Sequence, residues 1–233
     1  MISQILDICF PRRCPVCGEI PPAGSRICPE CLDALHIIRQ PVCFRCGKEL
    51  ESPVMEYCPD CARKPRSFVR SFALLQYNQA AARSMAAVKY NNRREYLDFY
   101  GEAFCRRYGP QILRLRPDAA VPVPIHPSRR RERGFNQAEE LAVRLGRQLD
   151  VPVYPDALRR VKKTAPQKNL DPAQRLANLR QAFAPGTLPQ EVGTVLLVDD
   201  IYTTGSTMEA CSRVLLSMGV KTVYGAVLCV GGS

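Results

Sequence analysis

Residues 195–207 read VLLVDDIYTTGST, and this stretch decides the fold class. The four apolar residues at 195–198 predict a strand buried on both faces of a parallel sheet, because they form an unbroken run that does not alternate with polar residues. Asp199 and Asp200 follow at the carboxyl end of that strand, where open α/β sheets bind their ligands. A helix with one apolar side is predicted from residue 206 to residue 218.

The loop between this strand and this helix is dense in hydroxyl side chains around a single glycine. Gly205 allows a tight backbone path, so that successive N–H groups and the positive end of the helix point at one spot. The stretch therefore predicts a site for a ribose 5-phosphate, in which the two carboxylates bind sugar hydroxyls and the loop binds the phosphate. The alternative is a strand, a polar turn and a helix cap without a ligand. The loop residues are Thr203, Thr204, Gly205, Ser206 and Thr207.

The chain has 233 residues and a formal net charge of +11, with its basic surplus in the middle of the chain. A basic surface suits a polyphosphate or a nucleic acid, although solvated helix faces explain scattered arginines equally well. No apolar run approaches the ~20 residues of a membrane helix. The opening MISQILDICF makes a poor signal peptide because it lacks a basic start. We therefore expect a cytoplasmic protein without membrane insertion.

Eight of the 12 cysteines form four CxxC pairs within the first 61 residues. Two such pairs complete the tetrahedron of a structural zinc ion, and four thiolates leave no open position for catalysis. A disulfide framework is the competing interpretation, but it is typical of small secreted proteins. His36 is interpreted as incidental, since eight cysteines already satisfy two ions. We assign one zinc ion to Cys14, Cys17, Cys28 and Cys31 and a second to Cys43, Cys46, Cys58 and Cys61, while spacing alone leaves an interleaved arrangement open.

A change in composition divides the chain into two predicted domains. Residues 1–66 form a double zinc ribbon whose halves repeat one cysteine pattern, and ARKPRS at 62–67 is the predicted linker. Residues 67–233 alternate predicted strands and helices, which indicates an α/β fold with a parallel sheet and helices on both faces. The predicted strands include 119–123, 194–199 and 221–228, and the predicted helices include 135–149.

Two basic segments of the second domain are candidate polyphosphate sites. Residues 124–134 are predicted to form a loop whose arginines bind a pyrophosphate, because forked guanidinium groups match phosphate oxygens. These are Arg129, Arg130, Arg131 and Arg133, and the alternative is a charged surface loop. His126 in the same loop is interpreted as a bystander. The polar stretch 159–183 either closes over a polyphosphate or exposes the faces of a short helix at 172–181.

Four sequence features, taken together, are diagnostic. They are the paired CxxC front end, VPVPIHPSRRRERGFNQ at 121–137, the segment Gln167–Leu170 with RLANLRQAF at 175–183, and VLLVDDIYTTGST. In combination they resemble the ComF family, phosphoribosyltransferase-like bacterial proteins linked to DNA uptake in natural transformation. The resemblance extends over nearly the whole chain. It implies a type I phosphoribosyltransferase fold that binds 5-phosphoribosyl 1-diphosphate (PRPP) with magnesium.

The resemblance also implies roles for individual residues. Asp199 and Asp200 contact the ribose hydroxyls and, in an enzyme, stabilise positive charge as the catalytic residues. Residues 203–207 hold the 5′-phosphate, while Arg129 and Arg133 in the loop 124–134 face the pyrophosphate.

The functional role implied by the resemblance is in DNA uptake or DNA utilisation, with single-stranded DNA and DNA-processing proteins as partners. Two alternatives stay open at this point. One is an active phosphoribosyltransferase that transfers the phosphoribosyl group to an unidentified acceptor and releases pyrophosphate. The other is a structural zinc adaptor with a vestigial pocket.

Overall fold

A central sheet of parallel strands carries the second half of the chain. The structure is a computed structural model and describes residues 12–162 and 182–231. The strands are Arg70–Gln76 (β1), Ala119–Pro122 (β2), Leu158–Arg160 (β3), Phe183–Pro185 (β4), Thr194–Tyr202 (β5) and Thr222–Val230 (β6). The sheet has the order β1-β6-β5-β2 with every pair parallel, and β3 and β4 form a separate antiparallel pair. The predicted parallel sheet is confirmed.

Helices cover both faces of this sheet, as predicted. In the described residues they are Pro29–Ala34 (α1), Pro59–Arg63 (α2), Gln79–Tyr90 (α3), Tyr96–Arg114 (α4), Pro127–Arg133 (α5), Gln137–Leu149 (α6) and Ser206–Ser217 (α7). Leu196 and Val198 of β5 pack in one apolar cluster with α3, α4 and α6. Val195 and Leu197 pack in a second cluster with α7 and the β3–β4 pair. The unbroken apolar run therefore serves two cores, one on each face.

Strand β5 continues past the acid pair, where the sequence predicted its end at residue 199. Ile201 and Tyr202 still pair with Cys229 and Val230 of β6, so the strand ends three residues later than predicted. Asp199 and Asp200 consequently lie within the strand near its carboxyl end. Because side chains alternate along a strand, the two carboxylates point to opposite faces of the sheet.

The two cysteine-rich segments pack against opposite faces of the sheet. Cys14 and Ile27 belong to the core that contains α4, and Cys43 and Cys46 belong to the core that contains α7. Between them, residues 36–38 run along the free edge of β1: the Ile38 N–H donates to the Leu74 carbonyl at 3.0 Å. The segments therefore complete both cores and cover an exposed strand edge, which would otherwise be open to pairing with other chains.

The segment 124–134, predicted as a loop, contains the short helix α5. Pro127 takes the first helical position, where its missing N–H costs no hydrogen bond. The His126 ring accepts the Ser128 N–H at 3.2 Å and caps the helix start, and Gly134 ends the helix in a left-handed conformation with φ of 79°. The prediction of a loop was therefore wrong, because helix signals at both ends outweigh the prolines that precede them. His126 thus has a structural role as the cap of this helix.

Some sequence predictions lie outside the described residues, namely the helix at 172–181 and the segment Gln167–Leu170. Among residues 12–162 and 182–231, none of the helices combines the length and the apolar character needed to cross a membrane.

Candidate functional site

The acid pair sits at the carboxyl edge of the sheet, with each carboxylate in a different environment. Asp200 is only 6 % exposed and faces α3 and α6, whereas Asp199 is half-buried on the face of α7 and β3. The Asp200 N–H donates to Asp199 Oδ1 at 2.9 Å, which holds the two side chains in a defined relation. Each carboxylate therefore needs compensating groups from its own face.

Lys89 of α3 forms a buried ion pair with Asp200. The Gln137 side chain at the start of α6 also hydrogen-bonds Asp200. Burial alone would raise the pKa of Asp200, but the Lys89 charge outweighs it and lowers the pKa below its usual value. The pKa of Lys89 rises in turn, since the attraction of Asp200 exceeds the effect of burial. Asp200 is thus held as a carboxylate.

Asp199 has the opposite electrostatics. Burial raises its pKa well above the usual value, and the negative charge of Asp200 raises it further. Arg160 of β3 lies on this face and interacts electrostatically with Asp199; burial and the nearby charge of Arg129 lower the pKa of Arg160. A carboxylate with such a raised pKa gains charge stabilisation when a cation or a ligand donor approaches it.

Two of the four arginines of helix α5 lie near residues that interact with the acid pair. Arg129 and Arg133 are half-buried and, being four residues apart, share one side of the helix. The Arg133 guanidinium lies 5.1 Å from the centre of the Tyr90 ring and donates to Gln137 Oε1 at 3.3 Å. Arg130 pairs with Glu139 at 3.0 Å instead, and Arg131 is exposed. Arg133 thus contacts Gln137, which hydrogen-bonds Asp200, and Arg129 lies near Arg160, which interacts with Asp199.

The loop 203–207 turns tightly at Gly205 and leads into helix α7. Gly205 adopts φ of 74°, and a Cβ there would lie 2.1 Å from the Tyr202 hydroxyl, so both conformation and space require glycine. Helix α7 begins at Ser206, and its first N–H groups face the loop. Thr203 and Thr204 are exposed, and the Thr204 and Ser206 hydroxyls lie 2.9 Å apart.

Lys89 and Gln137 are site residues that the sequence did not single out. Lys89 lies four residues after Met85 and eight after Ala81, both buried in α3, so it occupies the apolar side of that helix. A lysine on such a side requires an anionic partner. That spacing is the signal from which a buried ion pair at Lys89 could have been predicted.

The eight cysteines gather into two tetrads. Within each tetrad the four sulfur atoms lie within 4.8 Å of one another. The first tetrad is Cys14, Cys17, Cys28 and Cys31, and the second is Cys43, Cys46, Cys58 and Cys61. The pairing is sequential, as assigned from the sequence, and not interleaved. Sulfur separations of 3.8 Å (Cys17–Cys28) and 3.7 Å (Cys46–Cys58) exceed a disulfide bond of about 2.05 Å and suit thiolates around one ion. Both tetrads are compatible with zinc. His36 stands apart from them and contacts Glu49 at 2.8 Å.

Two family models match the chain. The double zinc ribbon domain matches residues 5–62, and the phosphoribosyl transferase domain matches residues 133–233. The first covers both cysteine tetrads, and the second covers the acid pair, the loop 203–207 and the helix that follows it. These matches agree with the fold and with the zinc-ribbon module that the sequence predicted.

Several proteins resemble the chain over most of its length. Competence protein F of Haemophilus influenzae is 30 % identical, and the similarity covers 92 % of this chain and 95 % of that protein. DNA utilization protein YhgH of Salmonella typhimurium is 31 % identical, with 94 % and 97 % covered. Competence protein ComFC of Bacillus subtilis is 28 % identical, with 84 % and 80 % covered. The similarity therefore spans both cysteine tetrads and the α/β part together.

Elemental analysis tests the cysteine tetrads. We expect two zinc ions per chain in protein purified without added metal, since each tetrad offers a closed set of four sulfur ligands. Denaturation in the presence of a chelator releases the metal and leaves free thiols. Clearly fewer than two ions, or thiols blocked as disulfides before any oxidant is added, contradicts the assignment.

Replacing Lys89 with methionine leaves the buried Asp200 carboxylate without its cation. We expect the free energy of unfolding to fall by about 3–5 kcal/mol at about pH 7.5. In the wild type the pKa of Asp200 is lower in the folded than in the unfolded protein, so the ionised group stabilises the fold at any pH above the unfolded pKa. This contribution is lost as the pH falls through the folded pKa. In Lys89→Met, burial without the lysine raises the pKa of Asp200, so the carboxyl group becomes protonated at a higher pH. The difference in free energy of unfolding between the variant and the wild type therefore becomes smaller as the pH falls from about 8 to about 5.5. Denaturant unfolding at several pH values measures both effects.

The double variant Lys89→Met/Asp200→Asn is the control for the lost ion pair. It removes the unpaired charge and is expected to recover most of the stability at about pH 7.5. A single variant that is as stable as the wild type would show that Lys89 and Asp200 do not form a buried ion pair.

Proposed function

The chain belongs to the family of competence protein F and the DNA utilization proteins, and on this premise we propose that it binds PRPP in its α/β domain and serves in the handling of DNA. One observation carries the proposal: the buried carboxylate of Asp200 and the half-buried one of Asp199 precede the glycine-centred loop 203–207 (the anion loop) at the carboxyl edge of a parallel sheet. This edge is where such folds bind phosphorylated ligands. The match to the phosphoribosyl transferase domain over residues 133–233 supports the same ligand class.

In this proposal each part of PRPP has its own residues. The 5′-phosphate is bound by the backbone N–H groups and hydroxyls of residues 203–207 at the start of α7. Asp199 and Asp200 accept hydrogen bonds from the ribose hydroxyls. Arg129 and Arg133, half-buried on α5, take the diphosphate through their forked guanidinium groups. Lys89 keeps Asp200 ionised through their ion pair.

Magnesium fits this site on the chemistry of its donors. Carboxylate and phosphate oxygens are the ligands that the ion prefers, and Asp199, with its raised pKa, is a carboxylate that benefits from a nearby cation. When bound with PRPP, magnesium supplies neutralisation of the diphosphate charge. The protein's own contribution is to orient the ribose through the two carboxylates, which extend from opposite faces of β5 and interact with each other.

A second proposed function is binding of single-stranded DNA, on an aromatic patch of the second cysteine segment. The patch consists of Phe44, Arg45, Tyr57 and Arg70. Phe44 lies between two metal-ligand positions and is 45 % exposed, with the Arg70 guanidinium 5.2 Å from its ring centre. Exposed rings beside guanidinium groups stack on bases, and a net charge of +11 attracts the phosphate backbone. The names of the relatives support a role with DNA.

Calorimetry with PRPP and magnesium tests the first proposal. We expect the wild type to bind, and Asp199→Asn to weaken binding about tenfold or more, which corresponds to ~1.4 kcal/mol or more of lost interaction with the ligand. Asp156→Asn is the control, because it removes one exposed carboxylate elsewhere on the surface. Absence of PRPP binding by the folded wild type contradicts the proposal and favours a structural zinc adaptor. Equal binding by the two variants removes Asp199 from the site.

Fluorescence anisotropy with a labelled oligothymidylate tests the second. We expect Phe44→Ala to weaken binding about fivefold or more, since stacking on one ring is worth ~1–3 kcal/mol per base. The affinity of both proteins should fall steeply and in parallel with rising salt, because the substitution removes no charge. Leu113→Ala removes a similarly exposed apolar side chain on α4 and serves as the control. An equal loss of affinity for the oligothymidylate in Phe44→Ala and Leu113→Ala would exclude the aromatic patch as a stacking surface.

A further inference from the structure

The second cysteine tetrad lies directly behind the anion loop. Tyr202, the last residue of β5, is 4 % exposed and belongs to the same apolar cluster as Cys46, Cys58 and Cys61. Its hydroxyl occupies the space next to Gly205, where an added Cβ would come within 2.1 Å. One buried ring thus touches the glycine of the loop and faces the metal-ligand sulfurs.

Phe68 braces the other side of that ring. The two rings meet edge to face, with 6.3 Å between their centres and an angle of 83° between their planes. Burial raises the pKa of the Tyr202 hydroxyl. Tyr202 is therefore held between the second tetrad, Phe68 and the loop.

The linker after the second tetrad is tied to the same loop by hydrogen bonds. Arg66 Nη2 donates to the Thr204 carbonyl at 2.6 Å. The N–H and the hydroxyl of Ser67 donate to the two carboxylate oxygens of Glu209, at 2.7 and 2.9 Å. Glu209 is 2 % exposed and lies in the first turn of α7, immediately after the loop. These bonds clamp the loop and the start of its helix to the linker.

The first tetrad makes its contacts elsewhere. Cys14 packs in the core on the opposite face of the sheet, together with α4. Arg26, two residues before Cys28, donates from its Nε to Glu102 of α4 at 2.8 Å. The two tetrads have similar ligand spacing, with 10 and 11 residues between their CxxC pairs, but different neighbours. Loss of metal therefore has different consequences at each.

We propose that the second tetrad, acting through Tyr202 and the linker residues Arg66 and Ser67, positions the anion loop, so that phosphate binding by residues 203–207 depends on the metal of this tetrad and not on that of the first. This inference rests on the proposed function, because it concerns the loop assigned to the 5′-phosphate. Arg66 and Ser67 are positioning residues, and Arg66 also brings a positive charge to the loop.

The physical reason is that part of the loop is open to solvent. Thr203 and Thr204 are exposed, and an anion cradle works only when several N–H groups converge on one point. A segment as short as the second tetrad cannot build its own core, so metal binding supplies its folding energy. Without that metal, the support for Tyr202 and the clamp at Glu209 are both weakened, and the loop spends less time in the binding conformation.

A pair of linker variants tests the clamp without touching a metal ligand. Arg66→Gln removes the donor to Thr204, and Lys64→Gln removes one exposed charge two residues earlier as the control. We expect backbone amides of residues 203–207 to exchange hydrogen about tenfold faster in Arg66→Gln than in Lys64→Gln, measured without ligand. We also expect the dissociation constant for ribose 5-phosphate to rise about tenfold in Arg66→Gln only. Equal behaviour of the two variants overturns the inference.

Two cysteine variants compare the tetrads at equivalent positions. Cys28 and Cys58 each precede a short helix that begins with proline and an acidic residue. Both serine variants are expected to lose one zinc ion. We expect the backbone amides of residues 203–207 to exchange hydrogen about tenfold faster in Cys58→Ser than in Cys28→Ser. We also expect the dissociation constant for ribose 5-phosphate to be about tenfold higher in Cys58→Ser than in Cys28→Ser. Equal effects of the two losses overturn the inference, and if either chain fails to fold the linker variants decide the question alone.

The outcomes separate this inference from the proposed function. A folded wild type that binds neither ribose 5-phosphate nor PRPP refutes the proposed function, whereas the exchange rates at 203–207 still decide whether the second tetrad positions the loop. A wild type that binds, together with an Arg66→Gln variant that matches Lys64→Gln in both measurements, refutes the inference alone.

Discussion

Two adjacent carboxylates on one buried strand impose the constraint from which the site follows. Because side chains alternate along β5, Asp199 and Asp200 extend from opposite faces of the sheet, and cationic groups lie on both faces. Lys89 of α3 meets Asp200 on one face, and Arg160 of β3 lies near Asp199 on the other. The carboxyl edge of the sheet is therefore surrounded by positive groups, which suits a ligand with several negative charges.

Helix α5 extends this arrangement to both faces at once. Its Arg133 lies near Lys89 and lowers the pKa of that lysine, and its Arg129 lies near Arg160 and lowers the pKa of that arginine. Like charges in such proximity repel one another, so the cluster is relieved when an anion enters it. This repulsion supports the proposed binding of a polyphosphate at this edge.

The cysteine tetrads and the strand β5 were predictable from sequence because their signals are local. Four CxxC pairs specify metal ligation by spacing, and Val195–Val198 specify a buried strand by composition. The orientation of the acid pair was not predictable in this way, since it depends on β5 continuing to Tyr202. That continuation comes from pairing with Cys229 and Val230 of β6, which no local pattern in β5 encodes.

Long-range pairing also explains the other features that sequence reasoning did not provide. Lys89 and Asp200 are far apart in the chain, and only the packing of α3 on the sheet brings them together. The same holds for the linker, whose residues Arg66 and Ser67 look like a simple connection in sequence but bond to Thr204 and Glu209. Side-chain contacts of this kind follow from the tertiary fold rather than from a motif.

The two cysteine-rich segments are integral parts of the fold. They do not stand apart from the α/β part, because one completes the core on the face of α4 and the other the core on the face of α7. The chain between them covers the open edge of β1. The metal-binding segments are thus structural parts of the sheet's environment, and the second of them borders the proposed ligand site.

The most direct test of the central claim is a crystal structure of the wild-type protein with PRPP and magnesium bound. We expect the 5′-phosphate on the N–H groups of residues 203–207, the ribose hydroxyls on Asp199 and Asp200, and the diphosphate beside Arg129 and Arg133. A ligand bound elsewhere on the surface, with the two aspartates and the loop making no contact with it, would contradict the account.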